Sequence, residues 1–211
     1  MTTSTQDQGS PYCVAIVAMG PSHKEFLSDA LKASSRWQVA DEIWAINAMA
    51  GVIQHDRAII MDDLPYFAKA ARSENASLVG YADWLKRASG PPIFAQSTYE
   101  EFPRAVEYPL KDVVRACGGY AYFNSTVAYA VGLAILEGVK HLKLYGCDFT
   151  QALSGGDGQG GRACVEFWLA YASFVKGMKV SIANTSSLCD QNSQRQLYGY
   201  VSDQQIKKLL A

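Results

Sequence analysis

Six polar clusters punctuate the apolar runs of this chain: Gly20-Pro21-Ser22, Asn47, Asp62-Asp63, Gln96-Ser97, Asn124-Ser125-Thr126 and Asp148. The runs before most of them are short and continuously apolar rather than alternating, which suits strands covered on both faces. If those strands are parallel, the clusters gather along one edge of one sheet, where open α/β folds hold their ligands.

The details support that reading. Tyr12 to Met19 (YCVAIVAM) reads as a buried strand that stops at Gly20-Pro21. Ser22 with Glu25 forms a capping-box signature, and Phe26, Leu27, Ala30 and Leu31 follow at helical spacing. Glu42 to Asn47, Arg57 to Met61 and Pro92 to Ala95 are further strands, with helices over 65–72 and 81–88. Prolines 91, 92, 103 and 109 break the pattern between 74 and 109. Ser125 to Glu137 reads as a helix closed by Gly138, Val139 to Tyr145 as a strand, Cys164 to Lys176 as a helix and Lys179 to Ala183 as a strand. Gly155 to Arg162, with five glycines in eight residues, reads as a flexible loop and a candidate lid. Strands alternating with helices predict an α/β fold: one doubly wound, mainly parallel, Rossmann-like sheet with helices on both faces.

At 211 residues and 49% hydrophobic content the chain builds one core. The expected organisation is a tail over 1–11, a nucleotide-binding domain over 12–200, and a closing helix or tail over 201–211. Nineteen Lys and Arg against 20 Asp and Glu give a net charge of -1. With no basic run, tight non-specific nucleic-acid binding is not expected. The five cysteines are scattered and lack C-x-x-C spacing, so neither a disulfide framework nor a zinc site is indicated, and reduced thiols in a cytoplasm fit best. No stretch approaches a membrane span. A homo-oligomer is compatible with everything in the sequence.

Each cluster has a chemical and a plain reading. Gly20-Pro21-Ser22 could turn backbone amides and a helix N-terminus toward a phosphate, or be a simple turn; it is neither G-x-G-x-x-G nor a Walker loop. Asn124-Ser125-Thr126 supplies donors at a second helix start, or plain capping. Asp148 could hold a ribose, a metal or an acceptor hydroxyl, or merely cap the following loop; its place at the presumed ligand edge favours a role in function. Asp62-Asp63 is the best magnesium candidate, because hard cations take carboxylate oxygens and bridge to phosphates, although both residues also suit helix capping. Asn47 could read a base or sugar edge, or merely end a strand. His23, His55 and His141 form no cluster, and His23 is the most interesting by position.

VAIVAMGPSHKEF, EIWAINAMA, AIIMDD and above all FNSTVAYAVGLAILEGVKHLKLYGCDFT together resemble the Rossmann-like superfamily of MptE-like proteins, bacterial sialyltransferases of lipooligosaccharide synthesis and motility accessory factor glycosyltransferases. The likeness spans residues 12 to 184, and the chain's small size resembles phage-encoded members, which implies a host cytoplasm. The resemblance implies that Gly20, Ser22, Asn47, Ser125 and Asp148 line a nucleotide pocket. Two departures stand out. Ala18-Met19 replaces the family's Gly-Asn before Gly20, and the lid histidine used as a base has no counterpart between 149 and 211. Either another residue such as Asp62, Asp157 or Glu166 takes the proton, or the reaction differs.

The function expected is a nucleotide-dependent transferase, foremost a glycosyltransferase using a nucleotide-activated sugar, with an undetermined acceptor. Gly20, Pro21, Ser22, Asn47, Asn124, Ser125 and Thr126 bind the nucleotide, Asp62 and Asp148 are the catalytic candidates, and Asp62 with Asp63 would hold magnesium if a metal is used. The alternatives are an MptE-like ATP-dependent diphosphokinase acting on a hydroxymethyl heterocycle, and an inactive nucleotide-binding or interaction protein.

Overall fold

The apolar runs become parallel strands. The computed structural model describes residues 12–73, 79–149, 158–191 and 208; the expected tail over 1–11, nearly all of 201–211, and Asp157 lie outside the described residues. The strands are β1 (Cys13–Val17), β2 (Glu42–Ile46), β3 (Arg57–Ile59), β4 (Ile93–Ala95), β5 (Ala105–Glu107), β6 (His141–Tyr145) and β7 (Lys179–Ile182). They form one seven-stranded sheet in the order β5-β4-β3-β2-β1-β6-β7, with every pair parallel.

Strand alternation divides the core in two. Ala15, Val17, Ile43 and Ala45 face α1 (His23–Lys32), α2 (Leu64–Ser73) and α3 (Val79–Leu85). Val14, Ile16, Trp44 and Ile46 face α4 (Leu110–Ala116), α5 (Thr126–Leu136) and α6 (Gly158–Ala170). Because both strand faces are covered, the runs need no polar alternation. Helix α5 crosses the centre of its layer with Val127, Ala128, Val131, Leu133 and Ile135 all buried. Each fully buried Leu or Ile there contributes about 1.5–3 kcal/mol of transfer free energy. No described helix is long and apolar enough to cross a membrane.

Three expectations are corrected. The proline-broken stretch contains an edge strand, β5, and a helix, α4, follows directly after it; the strand is only three residues long, and Pro103 and Pro109 flank it rather than interrupt it. The glycine-rich segment is helical from Gly158 onward, because Asn124 Nδ2 donates to Gly160 O at 3.0 Å and the ring of Phe149 lies 2.9 Å from where a Cβ on Gly161 would stand. Tertiary packing there overrides the low helix propensity of glycine. The capping box is not formed either. Ser22 occupies the N-cap of α1 without a side-chain cap bond, and Glu25 reaches across to Asn184 and Thr185 instead.

Candidate functional site

Going outward from β1, the chain first builds β2 to β5 on one side and then crosses back to place β6 on the other. The carboxyl ends of β1 and β6 are therefore the topological switch point, where open α/β sheets part to admit a ligand. Register aligns Val17 with Tyr145 on one side and with Ala45 on the other. Asn47, two residues past Ala45, is consequently level with Met19, one strand from the switch.

Here the structure brings Gly20, Ser22 and Asp148 together. Gly20 N donates to Gly146 O at 2.8 Å, Ser22 N to Asp148 Oδ2 at 2.7 Å, Ser22 Oγ to Asp148 Oδ1 at 2.5 Å, and Gly146 N to Ser22 Oγ at 2.8 Å. Ser22 and Asp148 are buried. Two glycines make this closeness possible. A Cβ on Gly20 would stand 2.5 Å from Asp148 Oδ2, and one on Gly146, whose φ is +69°, would stand 2.0 Å from Ala18 O. His23 covers the crossing, its Nδ1 2.8 Å from Gly20 O.

Chemically, this cluster is closed. The amides of Gly20 and Ser22 already have acceptors, and the Asp148 carboxylate already has donors. Expected to face a ligand, these groups bond to one another here, as a latch that joins β1 to β6 and shapes the floor of the rim.

Open groups lie beside the latch. Asn47 starts a tight turn over Asn47–Gly51 with φ +50°, in the left-handed region that non-glycine residues rarely occupy. Its Oδ1 is buried without a hydrogen-bond partner among the described residues. The hydroxyl of Tyr81, whose ring packs against Gly51, is likewise buried and unpaired, and burial, with the Asp62 carboxylate in support, pushes that phenol well above its ordinary value. Buried polar atoms are normally paired, so two orphans beside one turn are an uncommon cost.

The second helix start is open as well. Ser125 caps α5 as expected, its Oγ accepting from Ala128 N at 3.2 Å. The amides of Thr126 and Val127 have no acceptor among the described residues, and the N-terminus of α5 points to the carboxyl rim. The site that Gly161 leaves for Phe149 is 3.7 Å from Ser125 Cβ, so the starts of α5 and α6 meet the residue that follows Asp148.

The acidic pair is divided in function. Asp63 caps α2, accepting from Tyr66 N at 2.9 Å, while Asp62 is exposed at the end of β3. Among the described residues no group of three or more His, Cys, Asp or Glu side chains is gathered for a metal. With Asp63 held in its cap, this donor set does not fit a resident magnesium ion. Of the substitute bases, Glu166 is held by Arg162 Nε and Cys189 N, each at 2.7 Å, and is not free. Sequence reasoning picked out the open helix start at Ser125-Thr126 but missed the glycine contacts; a glycine directly after a strand, as at Gly146, was the available signal.

No family model and no curated protein matches the chain. Solved structures do. The sialyltransferase CstII from Campylobacter jejuni in complex with CMP has a TM-score of 0.52 at 16% identity, over 96% of this chain and 99% of that one. Its complex with the substrate analogue CMP-3FNeuAc gives 0.50 at 17%, over 84% and 82%. The sialyltransferase CST-II with trisaccharide acceptor and CMP gives 0.51 at 16%, over 94% and 98%. At these identities the likeness is one of fold, and it extends over nearly the whole of both chains.

Proposed function

We propose that this chain is a glycosyltransferase that takes a sugar activated on a cytidine-type nucleotide at the carboxyl rim of its sheet. The observation that carries the reading is Asn47: a strained backbone and a buried, unpaired amide oxygen one strand from the switch point, in a fold whose solved neighbours hold CMP and CMP-sugar analogues. The amide of Asn47 accepts from the base or ribose.

Phosphate goes to the start of α5, where the unpaired amides of Thr126 and Val127 and the helix dipole face the rim. In transfer, the acceptor hydroxyl oxygen bonds to the anomeric carbon as the bond from that carbon to phosphate oxygen breaks. The electron pair leaves on the phosphate, and preorganised amides stabilise the charge that develops there. Asp62, the exposed carboxylate at the end of β3, takes the acceptor proton. Ser22 and Asp148 act at one remove, fixing the distance between β1 and β6. An ATP-dependent diphosphokinase would lean on magnesium carboxylates, and the donor set described above gives that reading no support.

Titration calorimetry with CMP, a CMP-sugar, UDP and ATP tests the proposal. The expected result is saturable binding of CMP and of the CMP-sugar, and release of CMP when a glycan acceptor is added. Preference for ATP sinks the glycosyl reading, and no binding of any nucleotide leaves an interaction protein.

A further inference from the structure

Helix α6 is apolar on the side that faces solvent. Its buried side is formed by Cys164, Val165 and Trp168, as a core helix requires. The opposite side carries Ala163, Phe167 and Ala170, all exposed, and continues to Phe174, 88% exposed, in the widened turn Tyr171–Val175 that ends the helix. Its ion pair, Arg162 with Glu166, is displaced to the flank, where Asp190 joins it. A helix that is apolar on two opposite sides belongs between two layers, yet among the described residues this one has a layer on one side only.

We propose that this stripe is the interface between two copies of the chain, packed with their α6 helices antiparallel. The spacing 163, 167, 170, 174 is four, three, four, the seam of a two-stranded coiled coil. Small and large residues alternate along it. With the two-fold axis between 168 and 169, Phe167 of one copy fills the gap over Ala170 of the other, and Phe174 the gap over Ala163. The surface is therefore complementary to itself, as an isologous contact demands. It offers no charge to attract a charged ligand or nucleic acid.

The area is sufficient. Tyr120 and Tyr122, exposed beside α6, extend the patch, and the rings of Tyr122 and Phe167 already meet edge to face with centroids 5.8 Å apart. At roughly 200 Å² per aromatic side chain, the exposed fractions of these four rings amount to about 500 Å² per copy. That is in the upper part of the range of about 300–600 Å² for the largest apolar patch of a typical monomer, a patch that is often functional. A pair buries roughly 1,000 Å² before the alanines and Val175 are added, close to the ~1,200 Å² at which specific interfaces begin.

Sedimentation velocity on the full chain across a wide concentration range tests this. Wild type is expected to sediment at twice the chain mass, Phe174→Glu and Phe167→Glu at the monomer mass with unchanged circular dichroism, and the control Leu31→Glu, on an exposed residue of α1, as wild type. A wild-type monomer at every concentration overturns the proposal, as does a dimer that survives both Phe variants. Vesicle binding by a monomeric wild type that is lost in Phe174→Glu assigns the stripe to a membrane surface and overturns it equally.

Discussion

Ser22 Oγ donates to Asp148 Oδ1 at 2.5 Å across 126 residues of sequence, and both side chains are buried. Removing one partner leaves the other desolvated and unpaired, which costs more than the bond itself is worth. Asp148→Ala is expected to destabilise the fold by about 3 kcal/mol, and Ser22→Ala by about 2 kcal/mol. The double variant should lose clearly less than their sum, because the second deletion removes the orphan left by the first. Urea denaturation checks this. Full stability in Asp148→Ala, with only ligand affinity lost, returns Asp148 to the binding site.

Gly146 and Gly20 make the latch possible, and their substitution separates two kinds of crowding. At Gly146, alanine brings both a positive φ and a backbone collision, so Gly146→Ala should lose at least ~4 kcal/mol or fail to fold. Alanine at Gly20 also meets Gly146 O, yet a second obstacle is the Asp148 carboxylate, which can move. Gly20→Ala is expected to fold with lower stability, and its double variant with Asp148→Ala should lose less than the sum of the two single losses. Additive losses would show that the backbone contact dominates.

How much of this was legible depends on distance along the chain. β1 and β2 announced themselves because strands covered on both faces need only a dense apolar run, and β6 through the alternation of Val139 to Tyr145. Ser125 was legible as a cap because capping is local. β5 escaped because an edge strand of Ala105, Val106 and Glu107 has neither length nor burial to mark it. The helical start of α6 escaped because its support comes from Asn124 and Phe149. Ser22 and Asp148 were both picked as site residues, yet their mutual bond was invisible: nothing local distinguishes a serine that binds phosphate from one that binds a carboxylate 126 residues away.

His55 makes stability sensitive to mild acid. It is buried, its Nδ1 is 2.9 Å from Ile53 O, and its Nε2 is unpaired among the described residues. Burial, reinforced by Arg104 and Arg36, holds its pKa below the usual 6.5 despite the Ile53 carbonyl. The unfolded chain thus binds the proton more readily, so stability rises with pH through this range. The contribution is full above 6.5 and is lost as pH falls from there through the depressed value. Melting temperatures from pH 7.5 down to about 5 should fall for wild type and stay flatter for His55→Phe. Parallel curves for the two proteins remove His55 as the cause.

Asn47 separates binding from stability most cleanly. Its backbone is left-handed and its Oδ1 has no partner among the described residues, so the side chain contributes little to the unliganded fold. Glycine adopts that φ freely, and losing a buried orphan acceptor relieves a desolvation cost. Asn47→Gly is therefore expected to match or exceed wild-type stability, offset in part by the greater entropy of the unfolded glycine chain. If the amide accepts from the nucleotide, the same variant loses a hydrogen bond worth about 1–1.5 kcal/mol, roughly tenfold in CMP affinity. Calorimetry and thermal melts on one preparation give both numbers. Unchanged CMP affinity in a stably folded Asn47→Gly means the strain at this turn serves something other than nucleotide binding.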